Sequence, residues 1–558
     1  MHQLSLYWQR ILLGCILLVT AIVYVPTITF DFVNLDDQAL VSNNAMVAQP
    51  TPAHMAKAFT TYDPELYIPL TFLSYQIETA VFGMQAWHFH LINLLLHLGC
   101  TAFVFLIIRR LLNAQTALIA ATLFALHPIN TEAVAWISAR KDLLSTFFAL
   151  ASVWQYLIFK TLHRKKYLIA SIVLFACALL SKISVMMVPL LFVLIDWQQS
   201  KTLTRQSITR KWPFAALSLA FFVVALFGKK AVIAHASVSS IALMAFRSSV
   251  FYLQKIFYPT DVSVTYLYEH SIHVLTPDIF LSIVLVIAIS IPLWLQRKRW
   301  PHLLFGWAWF LLILLPTFSH YSRDIRTVQV ASDRYVYLAA IGIFCLIAQS
   351  VSLGLQHLRH RQKYIALSLL AISVIILASL SSMRLPIWKD SIAMNQSILK
   401  LYPNEWHALF NLAQAMEKTG GDHTTILNFY HQSAQANRFY MQSYLNPALL
   451  LIQDKKYEQA LTILDTGLQH IPNNPHLIYA RGLAYQTQGK ITEAIAQYER
   501  AVTLDGADQI RIRLALAQAY GAQKRFVDAL DQYKILMDLD PAFKERVMEE
   551  VKVNNLAK

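Results

Sequence analysis

The chain has 558 residues, of which 56% are hydrophobic and only 14% are charged, with a formal net charge of +15 at pH 7. Soluble domains carry about 25% charged residues, so the composition argues against a single soluble globule. The positive excess lies in the apolar part: residues 1–399 hold 30 Lys and Arg against 15 Asp and Glu, and residues 400–558 hold 17 of each. A nucleic-acid-binding chain would show its basic residues on a solvated face, so nucleic acid is not expected as a partner.

Apolar runs recur through the first 382 residues, and many approach the roughly 20 residues that cross a bilayer. The predicted spans are residues 11–29, 89–108, 117–138, 143–159, 167–181, 184–197, 212–228, 279–296, 302–318, 335–353 and 364–382. Residues 241–258 carry Arg247 and Lys255, which predicts a re-entrant or interfacial segment. The first span follows only Arg10 and no small-residue cleavage site trails it, which predicts a retained anchor. We therefore predict an all-α fold in which residues 1–382 form a polytopic membrane helix bundle of about eleven spans.

The basic residues predict the orientation of this bundle, because Lys and Arg are concentrated in cytoplasmic connections. Alternate connections are strongly basic, namely Arg109-Arg110, Lys160 with Arg164–Lys166, Lys201 with Arg205, Arg210 and Lys211, Arg297–Arg299, and Arg359 with Arg361 and Lys363. The large loop 30–88 carries only Lys57 and is predicted to face outward. An odd number of spans also places everything after residue 382 on the outer, extracytoplasmic side.

The C-terminal part repeats with a period of 34–35 residues: Gly482, Tyr485 and Tyr498 recur as Ala517, Tyr520 and Tyr533. Small residues that face bulky ones let antiparallel helices pack closely, and this period is typical of tetratricopeptide (TPR) repeats. We predict a linker at 383–405, about four repeats over 406–543 and a tail at 544–558. Three or more such units bury a continuous core, which predicts a solenoid.

Two adjacent carboxylates, Asp36 and Asp37, follow the first span. A carboxylate at a membrane face can act as a general base on a hydroxyl, or help to hold a divalent metal. Two neighbours suit both roles, because a like charge raises the pKa of one of them. The other interpretation is a solvated acidic loop or a helix cap, since Asp-Asp pairs are common. If the protein uses a divalent metal, Asp36 and Asp37 are the candidate ligands, and no other cofactor is indicated.

Next in the chain come Tyr67, in the string Tyr67-x-Pro69-Leu70-Thr71, and a polar face within the second span. His90, Asn93 and His97 are spaced i, i+3 and i+7, so they share one face of a helix. Such groups inside a membrane helix face the bundle or a cavity. They could form interhelical hydrogen bonds or line a substrate cavity; zinc is a weaker alternative, because no nearby carboxylate or Cys completes a tetrahedral set.

The string from His127 to Asp142 is the most specific local pattern. Glu132, Trp136 and Arg140 fall at i, i+4 and i+8, which predicts one stripe at the outward end of a span. An acid, an aromatic ring and a cation make a poor lipid-facing surface. Either they shape a polar site together with His127, or Glu132 and Arg140 form a structural brace with Trp136 as an interface anchor.

Several cations are predicted on the outer side, where the positive-inside bias leaves few. Lys141 follows Arg140, Lys182 ends the fifth span, and Arg334 lies in the string Asp333-Arg334-Tyr335 before the penultimate span. Something anionic is their natural partner, and at that depth a lipid phosphate is the natural anion.

These motifs together resemble the transmembrane and TPR-containing O-mannosyltransferases, and especially their bacterial homologues. The motifs that carry the resemblance are Asp36-Asp37, Tyr67-x-Pro69-Leu70-Thr71, the string His88–His97, His127-Pro128 with Glu132, Arg140-Lys141-Asp142, Ser181-Lys182 and Asp333-Arg334-Tyr335. The resemblance implies a class C glycosyltransferase fold and a polyprenyl-phosphate sugar as donor, and it maps the acidic first-loop motif of the family onto Asp36 and Asp37. Many members have Arg where this chain has Ile68, so another cation would have to take its place.

The resulting hypothesis is a membrane glycosyltransferase of a bacterial inner membrane. Asp37, or Asp36, would deprotonate an acceptor hydroxyl, and Arg140, Lys141, Lys182 and Arg334 would bind the donor phosphate. Tyr67, His90, His97, His127, Glu132 and Asp333 would shape the site. The TPR surface would bind an acceptor protein or peptide. The alternatives are a non-catalytic membrane-anchored TPR scaffold for an envelope assembly, and a transporter of lipid-linked sugars.

Overall fold

The structure is a computed structural model, and it describes residues 5–62, 66–228, 237–260, 263–268, 270–320, 328–506 and 508–540. The chain divides into two compact units, residues 1–397 and 398–558. The predicted tail 544–558 and the last residues of the predicted repeat region lie outside the described residues.

The first unit is helical. Its α-helices are α1 Leu6–Tyr24, α2 Ala45–Ala48, α3 Pro52–Lys57, α4 Pro69–Phe82, α5 Ala86–Leu111, α6 Ala114–Leu126, α7 Thr131–Ala135, α8 Arg140–Leu162, α9 Lys165–Ser181, α10 Val188–Ser200, α11 Arg205–Thr209, α12 Trp212–Gly228, α13 Val238–Phe257, α14 Pro277–Leu295, α15 Pro301–Leu314, α16 Ala340–His357 and α17 His360–Arg384. Helix α18, Ser391–Leu401, crosses the boundary between the units. An all-α fold with membrane helices is therefore confirmed.

Short 3₁₀ segments join several of these helices and carry residues of the candidate site. They are Val25–Thr29, Pro128–Asn130, Ile137–Ala139, Ile183–Met187, Leu315–His320, Asp333–Val336 and Leu385–Trp388, and a π-helical turn spans Gln38–Ser42. Two short strands, β1 Tyr266–Tyr268 and β2 Val328–Ala331, pair antiparallel, which the sequence patterns did not indicate. The predicted linker 383–405 contains the end of α17 and most of α18.

Eight helical segments in the described part are long and apolar enough to cross a membrane, or nine if a bent pair counts as one span. The bent pair is α6 with residues 128–135, and its two halves meet at 53°. Pro128 explains the bend, because the residue before a proline is pushed out of the helical region; His127 is extended, with φ −74° and ψ 131°. The predicted spans 167–181 and 212–228 correspond to α9 and α12. These helices have 17 residues each, which is shorter than the roughly 20 residues that cross a bilayer. All but the last residue of the predicted 241–258 segment lie in the 20-residue helix α13.

Helices α15 and α16 cross closely at Gly306 and Gly342. A Cβ atom added at Gly342 in α16 would lie 2.9 Å from the Phe310 amide nitrogen in α15 and would collide with the Gly306 carbonyl. No real Cβ atom sits that close to backbone, so both glycines are needed for the two helices to touch. Small residues at such a contact are typical of membrane helix pairs.

The described part of the second unit contains four helix pairs, the arrangement of a TPR solenoid. They are α19 Trp406–Lys418 with α20 His423–Ala436, α21 Gln442–Gln453 with α22 Tyr457–His470, α23 Pro475–Thr487 with α24 Ile491–Val502, and α25 Gln509–Ala522 with α26 Phe526–Leu539. At Gly482 in α23 an added Cβ would lie 2.5 Å from the Tyr498 ring in α24. The predicted packing of small against bulky residues is thus present, and the TPR region is confirmed.

Candidate functional site

Four separated segments meet at one end of the helix bundle. Asp36 follows α1, Lys141 lies in the first turn of α8, Lys182 follows α9, and Arg334 precedes α16. The Lys141 Nζ atom lies 3.1 Å from Asp36 Oδ2. Burial opposes ionisation of Asp36, but the charges of Lys141 and then Arg334 outweigh it and hold its pKa below the ordinary value. The structure therefore brings together Asp36 and three of the four cations predicted from the sequence.

The two adjacent aspartates have different environments. The Asp36 side chain is 45% exposed, whereas Asp37 is 1% exposed. Asp37 Oδ2 accepts the Val33 amide at 3.0 Å, and Oδ1 accepts the amide of Ser138 at 3.0 Å and the Ser138 hydroxyl. Burial raises the pKa of Asp37 to about 6, against the effect of these hydrogen bonds. Asp36 is the accessible carboxylate, and Asp37 ties the first loop to the start of α8.

The two carboxylates do not form a metal site together, because Asp37 uses both oxygens for hydrogen bonds inside the protein. Within the described ranges, no group of three or more His, Cys, Asp or Glu side chains is placed to hold a metal ion. The metal and zinc ligand sets considered from the sequence therefore find no geometric support in this part of the chain.

Glu132 is fully buried and organises the segment that carries Arg334. Its Oε1 atom accepts hydrogen bonds from Ser332 Oγ at 2.8 Å and from Arg334 Nη1 at 2.7 Å, and Oε2 accepts the Asp333 amide at 3.1 Å. A carboxylate that accepts three donors in a buried position fixes them strongly, because charged hydrogen bonds are about twice as strong as neutral ones. Glu132 thus positions Arg334.

Aromatic rings lie beneath the three cations. The Arg334 Cζ atom lies 4.7 Å from the centroid of the Trp136 ring, and Lys141 Nζ lies 5.3 Å from the same ring. Lys182 Nζ lies 5.0 Å from the Tyr335 ring and 2.5 Å from Asp142 Oδ1. Burial lowers the pKa of Lys182, Asp142 opposes this effect, and the charges of Arg334 and Lys141 add to it, which leaves the pKa at about 8. Like charges this close favour the binding of an anion.

Arg334 also has one N–H group that makes no hydrogen bond to the described residues. Its Nη1 atom contacts Glu132 and Ser332, but Nε is buried without a hydrogen-bond partner in the described part of the chain. A buried donor without a partner costs free energy, about 1–3 kcal/mol, unless a ligand or water satisfies it. The side chain is 15% exposed. The guanidinium is therefore positioned to bind an anion.

The structure corrects the assignment of Arg140 to phosphate binding. Arg140 is fully buried, and all five of its N–H groups are used. Nε contacts Asn93 Oδ1, Nη1 contacts Ser74 Oγ and Glu78 Oε1, and Nη2 donates to Glu78 Oε2 and to the Phe89 carbonyl at 2.8 Å. The proposed brace between Glu132 and Arg140 is also wrong, since Glu132 pairs with Arg334. The reason is that Trp136 is extended, so residues 132–140 are not one continuous helix.

The Arg140–Glu78 ion pair makes a stability prediction. Arg140→Gln leaves the Glu78 carboxylate buried without a counter-charge, and breaking a buried pair costs about 3–5 kcal/mol. We expect the amount of folded protein in detergent, measured by size-exclusion chromatography, to fall sharply. The double variant Arg140→Gln/Glu78→Gln removes both charges and should recover much of it. Normal folding of Arg140→Gln with weakened donor binding would instead support the original assignment.

The predicted histidines serve the interior of the bundle. His97 lies between the Tyr337 hydroxyl at 2.7 Å and the Ala125 carbonyl at 3.1 Å. His127 lies against the Ile256 carbonyl at 2.9 Å and accepts the Ile129 amide. His90 is buried and packs edge-on against Phe30. For His97 these contacts are the interhelical hydrogen bonds that were one interpretation of the polar face, whereas His127, predicted to shape the site, uses its ring nitrogens within the bundle.

The other two predicted site residues, Asp333 and Tyr67, make their contacts outside the cation cluster. Asp333 Oδ2 pairs with Arg384 Nη2 at 2.5 Å and accepts the Tyr266 hydroxyl at 3.2 Å, which anchors the segment before Arg334. The Tyr67 hydroxyl donates to the Phe59 carbonyl at 3.1 Å, and its ring packs near Phe221. Tyr67 therefore stabilises the first loop.

Four residues of the site were missed from the sequence: Glu78, Asp142, Ser332 and Tyr335. Asp142 directly follows Lys141, Tyr335 directly follows Arg334, and Ser332 lies two residues before Arg334, so their closeness to cations that the sequence did identify was the available signal. Nothing local marked Glu78, because its partner Arg140 is 62 residues away.

Comparisons with known proteins match both parts of the chain. Residues 64–227 match the family described as dolichyl-phosphate-mannose-protein mannosyltransferase, and residues 475–508 match a tetratricopeptide repeat. The first match includes Arg140, Lys141, Asp142 and Lys182. A thermophilic TPR protein of Thermus thermophilus is 22% identical over 34% of this chain and 95% of its own, with a TM-score of 0.25.

Three relatives to which the chain is similar are each named protein O-mannosyl-transferase. Protein O-mannosyl-transferase Tmtc2 of Drosophila melanogaster is 36% identical over 24% of this chain and 16% of its own length. Protein O-mannosyl-transferase TMTC2 of Mus musculus is 31% identical over 24% of this chain and 17% of its own length. Protein O-mannosyl-transferase TMTC4 of Homo sapiens is 30% identical over 27% of this chain and 23% of its own length. The matches span less than a quarter of each relative. The predicted resemblance to the transmembrane and TPR-containing O-mannosyltransferases is confirmed.

Proposed function

We propose that this homologue of the transmembrane and TPR-containing O-mannosyltransferases is a membrane glycosyltransferase. It moves a sugar from a polyprenyl-phosphate donor to an acceptor hydroxyl, most simply one on a protein. The observation that carries the proposal is the meeting of the accessible Asp36 carboxylate with Lys141, Lys182 and Arg334 at one end of the bundle.

The cations act on the leaving group. As the bond between the sugar C1 and the phosphate oxygen breaks, negative charge grows on the polyprenyl phosphate. Arg334, with its free Nε, and Lys182 bind this phosphate. Preorganised donors aimed at developing charge are often the largest catalytic contribution, about 3–4 kcal/mol for one good donor.

Asp36 acts on the acceptor. Its carboxylate takes the proton of the acceptor hydroxyl while the oxygen forms the new bond to C1, and the proton later passes to water. Such general-base catalysis contributes about 10²–10⁴-fold. Its lowered pKa keeps Asp36 ionised throughout the neutral range. Lys141 holds the carboxylate in place at 3.1 Å, and Asp37 positions the loop from behind.

The site faces the outer side of a bacterial inner membrane in this proposal. Helix α8 has 23 residues, so its ends lie about 34 Å apart. Lys141 is at one end, and Lys160 at the other pairs with Asp196, which also binds Lys211. These lysines belong to the basic connections that the positive-inside rule assigns to the cytoplasm. Loop 30–88 and the TPR unit would then be extracytoplasmic, where the TPR surface binds the acceptor protein or a partner.

The direct test is transfer by membranes that contain the protein and a radiolabelled polyprenyl-phosphate mannose. We expect release of polyprenyl phosphate, with a rate that falls as the pH rises through about 8, because Lys182 is protonated below its pKa and loses its charge above it. Lys182→Arg should move this loss to higher pH, since arginine stays charged. The measurement is the pH profile of kcat/KM.

A profile that Lys182→Arg leaves unchanged would remove Lys182 from the phosphate site. Donor breakdown that is undetectable in wild-type membranes, together with intact partner binding by the TPR unit, would favour the membrane-anchored scaffold. Sugar movement across the bilayer that does not need Asp36 would favour a transporter.

A further inference from the structure

Helix α13 has no part in the mechanism above, although it buries two hydroxyl groups. Ser248 and Tyr252 are spaced i and i+4, so they share one face of this helix. Both residues are buried. A polar group in an apolar interior is costly unless it makes a hydrogen bond, so the partners of these hydroxyls indicate what the helix holds in place.

Both hydroxyls bind the backbone of the segment that leads to Arg334. Ser248 Oγ donates to the Val330 carbonyl in β2 at 2.7 Å. The Tyr252 hydroxyl donates to the Ser332 carbonyl at 3.0 Å and accepts the Ser332 amide at 3.1 Å. One phenol can bind both backbone groups of a residue because a hydroxyl both donates and accepts. Helix α13 therefore holds the chain immediately before the 3₁₀ segment that carries Arg334.

Ser332 is the link between helix α13 and the guanidinium. Its Oγ atom donates to Glu132 Oε1 at 2.8 Å and accepts an N–H of Arg334. The backbone of Ser332 is thus bound by Tyr252, and its side chain is bound by Glu132 and Arg334. A shift of this backbone moves Oγ and, with it, the guanidinium. Misplacing a group that acts on the reacting atoms by about 1 Å can cost about 10²-fold in rate.

We propose that Tyr252 is a positioning residue: its hydroxyl fixes Ser332 and, through Ser332, holds the Arg334 guanidinium where the leaving phosphate develops its charge. This inference rests on the proposed function. Ser248 supports the same segment with a single hydrogen bond, so its contribution is smaller. A hydroxyl with a merely structural role would change the amount of folded protein. A positioning hydroxyl changes the rate of the folded protein, and only while Arg334 is present.

The test measures kcat and KM for transfer from polyprenyl-phosphate mannose by the full-length protein in membranes, normalised to folded protein. Tyr252→Phe removes the hydroxyl and keeps the ring, and should lower kcat/KM about tenfold, mainly through kcat, because the phosphate charge develops in the transition state. In an Arg334→Gln background the same change should cost less than about twofold, since residues that act through one another are not additive. Ser248→Ala should cost about threefold and follow the same pattern, which keeps the test decisive if Tyr252→Phe folds poorly.

Tyr268→Phe is the matched control. It also removes the hydroxyl of a buried tyrosine, in the strand β1 that pairs with β2, but that hydroxyl donates to Asp278 Oδ1 in α14 at 3.0 Å. Its kcat/KM should equal that of the wild type.

Three results would overturn the positioning role while the proposed function stands. They are an equal fall in Tyr252→Phe and Tyr268→Phe, wild-type kinetics in both Tyr252→Phe and Ser248→Ala, and a tenfold loss that persists in the Arg334→Gln background. Wild-type membranes that release no polyprenyl phosphate would overturn the proposed function and this inference with it.

Discussion

Asp36→Asn is expected to lower glycosyl transfer by at least about 10²-fold while the protein folds normally. The amide keeps the shape of the side chain but cannot take the acceptor proton. The Asp36 side chain is 45% exposed, and the amide oxygen of asparagine can still accept a hydrogen bond from the buried Lys141, so we expect folding to be retained. The measurement is the initial rate of transfer from polyprenyl-phosphate mannose, normalised to the folded protein in each membrane preparation.

Two variants in the same loop serve as controls. Asp31→Asn changes an exposed carboxylate whose hydrogen bond is to its own neighbour, the Phe32 amide, and should leave transfer unchanged. Asp37→Asn should reduce the amount of folded protein, because Asp37 accepts three hydrogen bonds in the interior. If Asp37→Asn folds normally and is inactive while Asp36→Asn is active, Asp37 is the base and the assignment made here is reversed.

Arg334→Gln is expected to lower kcat/KM about 10²–10³-fold, because it removes a positive charge from the developing phosphate. The apparent affinity for sugar-free polyprenyl phosphate should fall as well, since that ligand retains the group that Arg334 binds. The first quantity is measured in the transfer assay with radiolabelled polyprenyl-phosphate mannose, and the second as the dissociation constant of the purified full-length protein in nanodiscs. Arg334→Lys should restore only part of the activity, because lysine lacks the planar set of donors that reaches both Glu132 and a phosphate.

The matched control is Arg247→Gln. Arg247 is 19% exposed, pairs with Asp278 at 2.9 Å and packs over an aromatic ring, as Arg334 does, but it lies in α13 outside the cation cluster. Its loss should leave both assays near the wild-type values. A similar fall in both variants would show that the loss of a partly buried arginine, and not of phosphate binding, is responsible.

The periodicity of the chain predicted the fold class well. Long apolar runs have few alternatives to helices in a membrane, because every backbone group must be satisfied within the segment. The repeat region was predicted equally well. Its helices pack only where a small residue such as Gly482 faces a bulky one such as Tyr498, and this requirement repeats in the sequence. The number of spans was harder to predict from the sequence. The bend at His127 and the 17-residue lengths of α9 and α12 depend on packing against neighbouring helices, which the local sequence pattern does not show.

The residues of the candidate site were only partly predicted from the sequence. Asp36, Lys141, Lys182 and Arg334 stood out because charged residues beside apolar spans are expensive and therefore few. Arg140 stood out for the same reason, yet its partner is Glu78 and its role is structural.

The sequence by itself determined the helical membrane class, the repeats and the small set of charged residues that could act. Only the tertiary structure decided which of these charges meet, that Asp36 is accessible while Asp37 is buried, and that the Tyr252 hydroxyl binds the backbone of Ser332. The physical reason is that helix formation and membrane insertion depend on local composition. An ion pair or a cavity depends on which helix ends are brought together in space, as Glu132 and Arg334 are across 202 positions of the chain.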